Sequence, residues 1–411
     1  MSYLHGVEIK QKDTLKIFRN SETSLVALVG VAAEGDNELT LVTNLEQAEA
    51  KYGLDLPGTT ILNALKSLYK DGNAPVIVLN VADATDQSDM LDGTAVGVES
   101  NKYYTEINEE SLGALGNSLS GLEAKLIAGI ELLKTAEAKF GMKPNFIIAP
   151  GYSQVLSIGA KMRSVAATLK AKALIDIYAA SVVDAIISRN TNYSYSDKRV
   201  ILCFPNMLVL NEDFGVDVQA PLSQLLAAEF IATHEDVGFW QSPSNRELTN
   251  VKGSAVAIIG SLTDSGADNQ LLNAKGIVTI FKTQGNGTRL WGNWTAAFPT
   301  DASLKGMIAA SIVEDVIEET IQRESLSFMD KNIGYAALDF IVASVQNYFN
   351  TMKAQGAILD ANIWYEKAKN PIANVQAGQF VFSYDFCAHP SLDRLTYESY
   401  LNVQYLEQLF Q

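Results

Sequence analysis

Short apolar runs exchange with amphipathic, helix-length segments along most of this chain, and that exchange restricts the fold more than any other feature. SLVALVGVA (24–32) and APVIVLNVA (74–82) are apolar on successive residues, the pattern of strands buried on both faces. Between them, TNLEQAEAKYG (43–53) offers Thr43 or Asn44 as helix cap and Gly53 as stop. TILNALKSLYKDG (60–72) sets Ile61, Leu65 and Leu68 on one face and ends at Gly72. An amphipathic helix follows at 121–141, with Leu122, Leu126, Ile130, Leu133 and Phe140 along its stripe, and then a strand at 145–151 after Pro144. A helix at 154–172, a strand at 173–179, a short helix at 181–190 and a strand at 199–205 continue the order. The helix 221–233 and the strand 277–283 belong to the same layers. Strands joined through helices are crossover connections, so residues 21–295 predict an α/β core with a largely parallel sheet.

Two stretches depart from that pattern. Residues 83–120 are rich in Asp, Ser, Asn and Gly, which predicts an exposed excursion with one hairpin, outside the core. After two longer helical segments, 301–324 and 334–355, the texture becomes α+β. In GQFVFSYDF (378–386), Phe380, Phe382, Tyr384 and Phe386 alternate with Val381, Ser383 and Asp385, a period of two. AHPSLD (388–393) then interrupts the strand.

The last twenty residues, LDRLTYESYLNVQYLEQLFQ, are apolar where most chains end in a polar, fraying tail. A strand over 395–405 extends about 33 Å and puts Leu395, Tyr397, Leu401, Val403 and Tyr405 on one face, interrupted by Ser399. Added to the edge of another sheet, it gains about eight ladder bonds at ~0.5–1.5 kcal/mol each, on the order of 4–12 kcal/mol before ordering entropy. The connection 387–394 stretches over roughly 25 Å, so the two ends of it can move apart while strands stay paired. At the other end of the chain, Val7 and Ile9 alternate with Glu8 and Lys10 in a second small strand-like run.

Residues suited to chemistry are scarce. The three histidines, His5, His234 and His389, and the two cysteines, Cys203 and Cys387, have no metal-ligand spacing, and HExxH and CxxC are absent. His234 reads as a helix-end residue favoured by the dipole, and each cysteine as a buried free thiol suited to a reducing compartment. The nucleotide cradle GxxxxGK[ST], a correctly spaced GxGxxG and the hydrolase GxSxG are missing, so no catalytic, cofactor-binding or metal-binding residue is expected. Gly285, Gly287 and Gly292 read as a turn rather than an anion cradle. Glu314, Asp315, Glu318 and Glu319 crowd one helix and read as a solvated or partner-facing surface. A formal charge of −16 without clustered Lys or Arg excludes nucleic acid as the main partner. No signal peptide or bilayer-spanning run is expected, so the chain is expected to fold in a cytoplasm. In GFWQSPSNRELTNVKG (238–253), Trp240, Asn245 and Arg246 read either as a structured loop with Arg246 capping carbonyls or as a subunit contact.

Taken in order, several of these segments resemble one family, the sheath proteins of contractile phage tails and related bacteriocins and injection systems. The segments are HGVE (5–8), ALVGVA (27–32), EQAEAKYG (46–53), APVIVLNV (74–81), KPNFIIAPGYS (143–153), GFWQSPSNRELTNVKG (238–253), RLWGNWT (289–295) and the DFCAHPSLDRLTYES…YLEQL end (385–409). The resemblance implies a structural protein without cofactor. Its subunits form six-membered rings stacked helically around an inner tail tube, with baseplate and tail terminator proteins as further partners and no stable membrane insertion. The sheath is assembled in the bacterial host cytoplasm as part of a virion or tail-like particle, and contracts to drive the tube through a target envelope. It also implies a division into an N-terminal arm (1–20), the sheath domain (21–295), a C-terminal α+β domain (296–387) and a C-terminal arm (388–411). Val7, Glu8, Ile9 and Lys10 would then be the N-arm strand, and Leu395, Tyr397, Leu401, Val403 and Tyr405 the C-arm strand. Both arms would add to a neighbour's sheet carrying Phe380, Phe382, Tyr384 and Phe386. Two other readings stay open: a sheath-like terminator or baseplate ring, and an oligomeric α/β enzyme.

Overall fold

The structure is a computed structural model that describes residues 24–55, 58–70, 72–81, 119–211, 215–249, 251–282, 285, 287–332 and 334–410. The N-arm residues Val7, Glu8, Ile9 and Lys10, and all of the 83–120 excursion except Leu119 and Ser120, lie outside the described residues.

The first apolar run forms β1 (Val26–Gly30), and β2 (Thr40–Val42) and β3 (Val76–Asn80) join it in one sheet. Helix α1 (Leu45–Tyr52) starts where the Asn44 side chain accepts from the Gln47 amide at 2.9 Å, and stops at Gly53. Helix α2 (Ile61–Leu68) buries Ile61, Leu65 and Leu68 as their spacing predicts. The long amphipathic segment begins as α3 (Leu119–Leu132) and continues through a 3-10 turn to Phe140. In α3, a Cβ at Gly129 would stand 2.8 Å from Leu79 and Val81, so glycine lets this helix lie close on the sheet.

Next come β4 (Phe146–Ile148), α4 (Leu156–Leu169), β5 (Lys172–Asp176), α5 (Val182–Thr191) and β6 (Val200–Cys203), each close to its expected span. Helix α6 (Leu222–Asp236), α7 (Asp268–Asn273), β10 (Ile277–Phe281) and β11 (Arg289–Trp291) complete the core domain. The large sheet has the order β11-β10-β6-β5-β4-β1-β3-β2. Its six central strands run parallel, and β2 and β11 close the two edges antiparallel. Successive residues of β1 feed opposite cores: Val26 and Leu28 pack on one side, and Ala27 and Val29 on the other. That two-sided burial is why the strands read as unbroken apolar runs rather than as alternation.

A second, three-stranded sheet, β8-β7-β9, was not expected from the sequence. It is an antiparallel hairpin of β7 (Met207–Asn211) and β8 (Val216–Ala220), with β9 (Val251–Ser254) on the other side of β7. Helices α8 (Ile308–Ser325) and α9 (Tyr335–Ala354) are the two longer helices of the C-terminal half. They extend the same core as α2 and α6, and they carry a third sheet, two strands wide: β12 (Ile358–Tyr365) and β13 (Phe382–Ala388).

Candidate assembly interface

The alternating aromatics fall where the period of two placed them, with one change. Phe382, Tyr384 and Phe386 are in β13 and half-buried against the core, while Phe380 precedes the strand. Tyr384 lies 5.9 Å from Phe349 of α9 and 6.5 Å from Phe386, and Phe382 meets Tyr365 edge-on at 5.9 Å. Ser383, Asp385 and Cys387 take the opposite face. Cys387 is therefore exposed, a correction to its expected burial, whereas Cys203 is buried as expected. The pairing partner β12 was missed in sequence.

Beyond Ala388 the chain leaves the sheet, as the AHPSLD interruption predicts. Its root is fixed at Asp393, which accepts from Asn293 Nδ2 at 2.6 Å and from Trp294 Nε1 at 2.5 Å. The backbone reaches those two residues through Gly292, whose φ of 143° and whose missing Cβ, 2.9 Å from Asn273 Oδ1, both require glycine. Past this clip the tail lies away from the rest of the chain: Leu395 is 60%, Tyr397 84% and Leu401 95% exposed. The strand expected over 395–405 is not paired among the described residues, and Val403 and Tyr405 stand instead in a 3-10 helix, Val403–Phe410. A strand without a ladder partner leaves its backbone groups to water, so a local helix turn competes with it.

Asn245 and Arg246 bond to other residues of the same chain, with Asn245 exposed and Trp240 and Arg246 half-buried at the surface. Arg246 bonds the buried Glu229 through Nε at 2.9 Å and Asp236 through Nη2 at 2.9 Å, so it pairs carboxylates of α6 rather than capping carbonyls. Asn245 takes the left-handed backbone, φ 68°; its amide donates to Leu290 O and its carbonyl accepts from Arg289, each at 2.7 Å. Trp240 is half-buried with its ring edge-on to Phe239 at 5.1 Å.

The acidic row on α8, expected as a solvated or partner-facing surface, is half-buried to buried and paired with bases of the same chain. Glu314 pairs with Lys198, Glu318 with Lys170 at 2.6 Å, and Glu319 with Lys143 at 3.3 Å. Asp315 takes both Lys172 at 2.9 Å and Arg199 at 2.6 Å. All of these bases lie at the starting ends of β4, β5 and β6, so the row is a seam that fastens α8 to the large sheet. Burial pushes the Lys172 ammonium down to about 8, against the opposing attraction of Asp315.

Two further polar centres were not foreseen. Arg189 donates to the carbonyls of Lys275, Tyr193, Tyr195, Ala296 and Phe298, tying α5 to the segment after β11. Asp176, at the end of β5 where α/β enzymes place ligands, accepts from Ser153 Oγ at 2.8 Å and from Ser223 Oγ and N at 2.6 and 2.9 Å. It is 2% exposed and sealed from substrate, and burial raises its pKa. His234, in the last turn of α6 as expected, is buried between Phe146 and Phe230 and meets Ser24 Oγ at 3.1 Å. Gly287 faces the Glu247 carboxylate, which opposes an anion there. Among the described residues no three His, Cys, Asp or Glu gather to hold a metal ion, and no helix is long and apolar enough to cross a membrane.

The mostly parallel α/β fold of this chain is shared with solved sheath chains of contractile injection systems. The chain superposes on the helical sheath of the anti-feeding prophage in its contracted state with a TM-score of 0.69, at 15% identity, over 98% of this chain and 100% of that one. Two curated relatives carry the same assignment in sequence. The tail sheath protein of Burkholderia phage BcepMu is 26% identical with 98% of each chain covered, and that of Escherichia phage P2 is 23% identical over 99% of this chain and 98% of its own. No protein-family model matches the chain. The chain is thus a homologue of contractile tail sheath proteins along nearly its whole length.

Proposed function

We propose that this chain is a sheath subunit that polymerises as stacked six-membered rings around an inner tail tube and contracts to drive the tube through a target envelope. The observation that carries the reading is the undocked tail, whose apolar residues are exposed to 60–95% at Leu395, Tyr397 and Leu401 on a subunit that otherwise buries its core. A second support is β12–β13, a sheet of two strands among the described residues whose outer edge suits a strand added from another copy. On this reading Leu395, Tyr397, Leu401, Val403 and Tyr405 become extended when they find a ladder, and Val7, Glu8, Ile9 and Lys10 supply the second arm. The tube, baseplate and terminator proteins are its other partners, and assembly takes place in the bacterial host cytoplasm. Subunits slide and rotate during contraction while the arms keep them linked.

Removal of 396–411 tests this. The expected product is a folded subunit that forms no tubes in negative-stain micrographs; long tubes from the truncated chain refute the arm mechanism. The same images of the full chain separate a sheath from the other two readings, which give single rings or compact oligomers.

A further inference from the structure

The two edges of the β12–β13 sheet are not equivalent. On β12, the Gln346 side chain of α9 donates from Nε2 to Ala361 O at 3.0 Å and accepts at Oε1 from Ile363 N at 3.2 Å. Ala361 and Ile363 therefore turn their backbone groups away from β13, and the carboxamide takes the place that a neighbouring strand would occupy. Their ladder partners are Phe386 and Tyr384. Residues directly opposite in an antiparallel pair either both point inward or both point outward. Phe386 and Tyr384, and Phe382 by the same period, thus present N–H and C=O along the outer edge of β13, where no described residue bonds them.

Resting on the arm reading above, we infer that Gln346 guards the β12 edge and directs strand addition to β13, and that the strand added there is the 395–402 tail of a second copy. A bare sheet edge is a template for wrong pairings, and a side-chain amide that reproduces one strand's bonds closes it without adding a strand. The tail fits the open edge in length, because eight residues extend about 26 Å and β13 has seven. It also fits in chemistry. Leu395, Tyr397, Ser399 and Leu401 fall on one face of the tail and lie along the face that carries Phe380, Phe382, Tyr384 and Phe386, so three apolar cross-strand pairs form and Ser399 is the exception. The opposite face of the sheet, by contrast, carries Asp360, Asn362, Ser383, Asp385 and Cys387. The tail comes from another copy because it is undocked on its own subunit, with its root held at Asn293 and Trp294.

Asp385 and Asn362 face each other across the ladder and report the two edges separately. In a Cys387→Ser chain, Asp385→Cys or Asn362→Cys is combined with one cysteine at each tail position from 395 to 402 in turn; Cys203 is buried and silent. Mild oxidation of assembled protein is expected to give intermolecular disulfides from Asp385→Cys at alternate tail positions. Asn362→Cys is expected to give about tenfold less, since bridged Cβ atoms must come within ~4.5 Å. Gln346→Ala is expected to raise the Asn362→Cys yield. Gln346→Glu does the same with less disturbance of the fold, because it keeps the acceptor for Ile363 and loses the donor to Ala361. An Asn362→Cys yield equal to or above that of Asp385→Cys with Gln346 intact, or no disulfide from Asp385→Cys in assembled protein, overturns the edge assignment. An unchanged Asn362→Cys yield in both Gln346 variants overturns the guard role. Each of these leaves the arm reading in place, which fails only if removal of 396–411 leaves tubes.

Discussion

Lys172 and Asp315 are joined by a 2.9 Å ion pair, yet replacing each is expected to shift stability in opposite directions. Burial holds the Lys172 ammonium at about 8 against an ordinary value of 10.5. At ~1.36 kcal/mol per pH unit, keeping that charge in the fold at neutral pH costs about 3 kcal/mol. Lys172→Met removes the charge, keeps the chain length and leaves Asp315 paired with Arg199, so a gain of about 1–3 kcal/mol is expected at pH 7. Asp315→Asn instead strips the counter-charge from two bases and is expected to cost about 3–5 kcal/mol.

The pH dependence gives a second reading of the same quantity. Between about 8 and 10.5 the unfolded chain holds a proton on Lys172 that the folded one has released. Stability attributable to this group therefore rises with pH across that window, and the full cost is present below it. The advantage of Lys172→Met should accordingly shrink as pH climbs from 8 to 10.5. Urea unfolding of the purified subunits, followed by circular dichroism at pH 7 and pH 10, measures both effects. Lys172→Met destabilising the fold by more than about 1 kcal/mol at pH 7, or an advantage that does not change with pH, refutes the argument that burial dominates at this seam.

Two further changes probe the tail root and the Arg246 loop. Asp393→Ala removes both bonds to Asn293 and Trp294, and trypsin should then cut after Arg394 several-fold faster, read as the rate of tail loss on a gel. Arg246→Ala takes the guanidinium from the buried Glu229 and from Asp236; a loss of about 1–3 kcal/mol is expected in urea unfolding, and an unchanged midpoint would show the pairs to be ornamental.

The local signals were legible in the sequence where neighbours along the chain decide the outcome. Asn44 and Gly53 bounded α1, and the strands buried on both faces gave their unbroken apolar runs. The strand β12 was hidden for a local reason: its register shifts between Ile358 and Asp360, and that irregularity breaks the period of two in ILDANIWY. The exposure of Cys387 was readable, since it shares a face with Ser383 and Asp385 rather than with the aromatics. The seam on α8 was not. Its partners Lys143, Lys170, Lys172, Lys198 and Arg199 are scattered along a distant stretch and converge only when parallel strands bring their starting ends together. Gln346 was invisible for the same reason, because an amide on a helix shows its backbone-mimicking role only when a strand edge is placed beside it.

The Asp393 clip gives the tail two working lengths. With the clip closed, the free span from 394 to 402 reaches about 30 Å; with it open, residues 389–393 pay out roughly 17 Å more. Hydrogen bonds to an exposed carboxylate are worth only about 1 kcal/mol each, so a modest pull opens the clip long before a paired strand of several ladder bonds is stripped. Under the proposed reading, Trp294 and Asn293 act as a mechanical fuse at the base of a tether: slack is released under load, and the joint between neighbouring copies is spared.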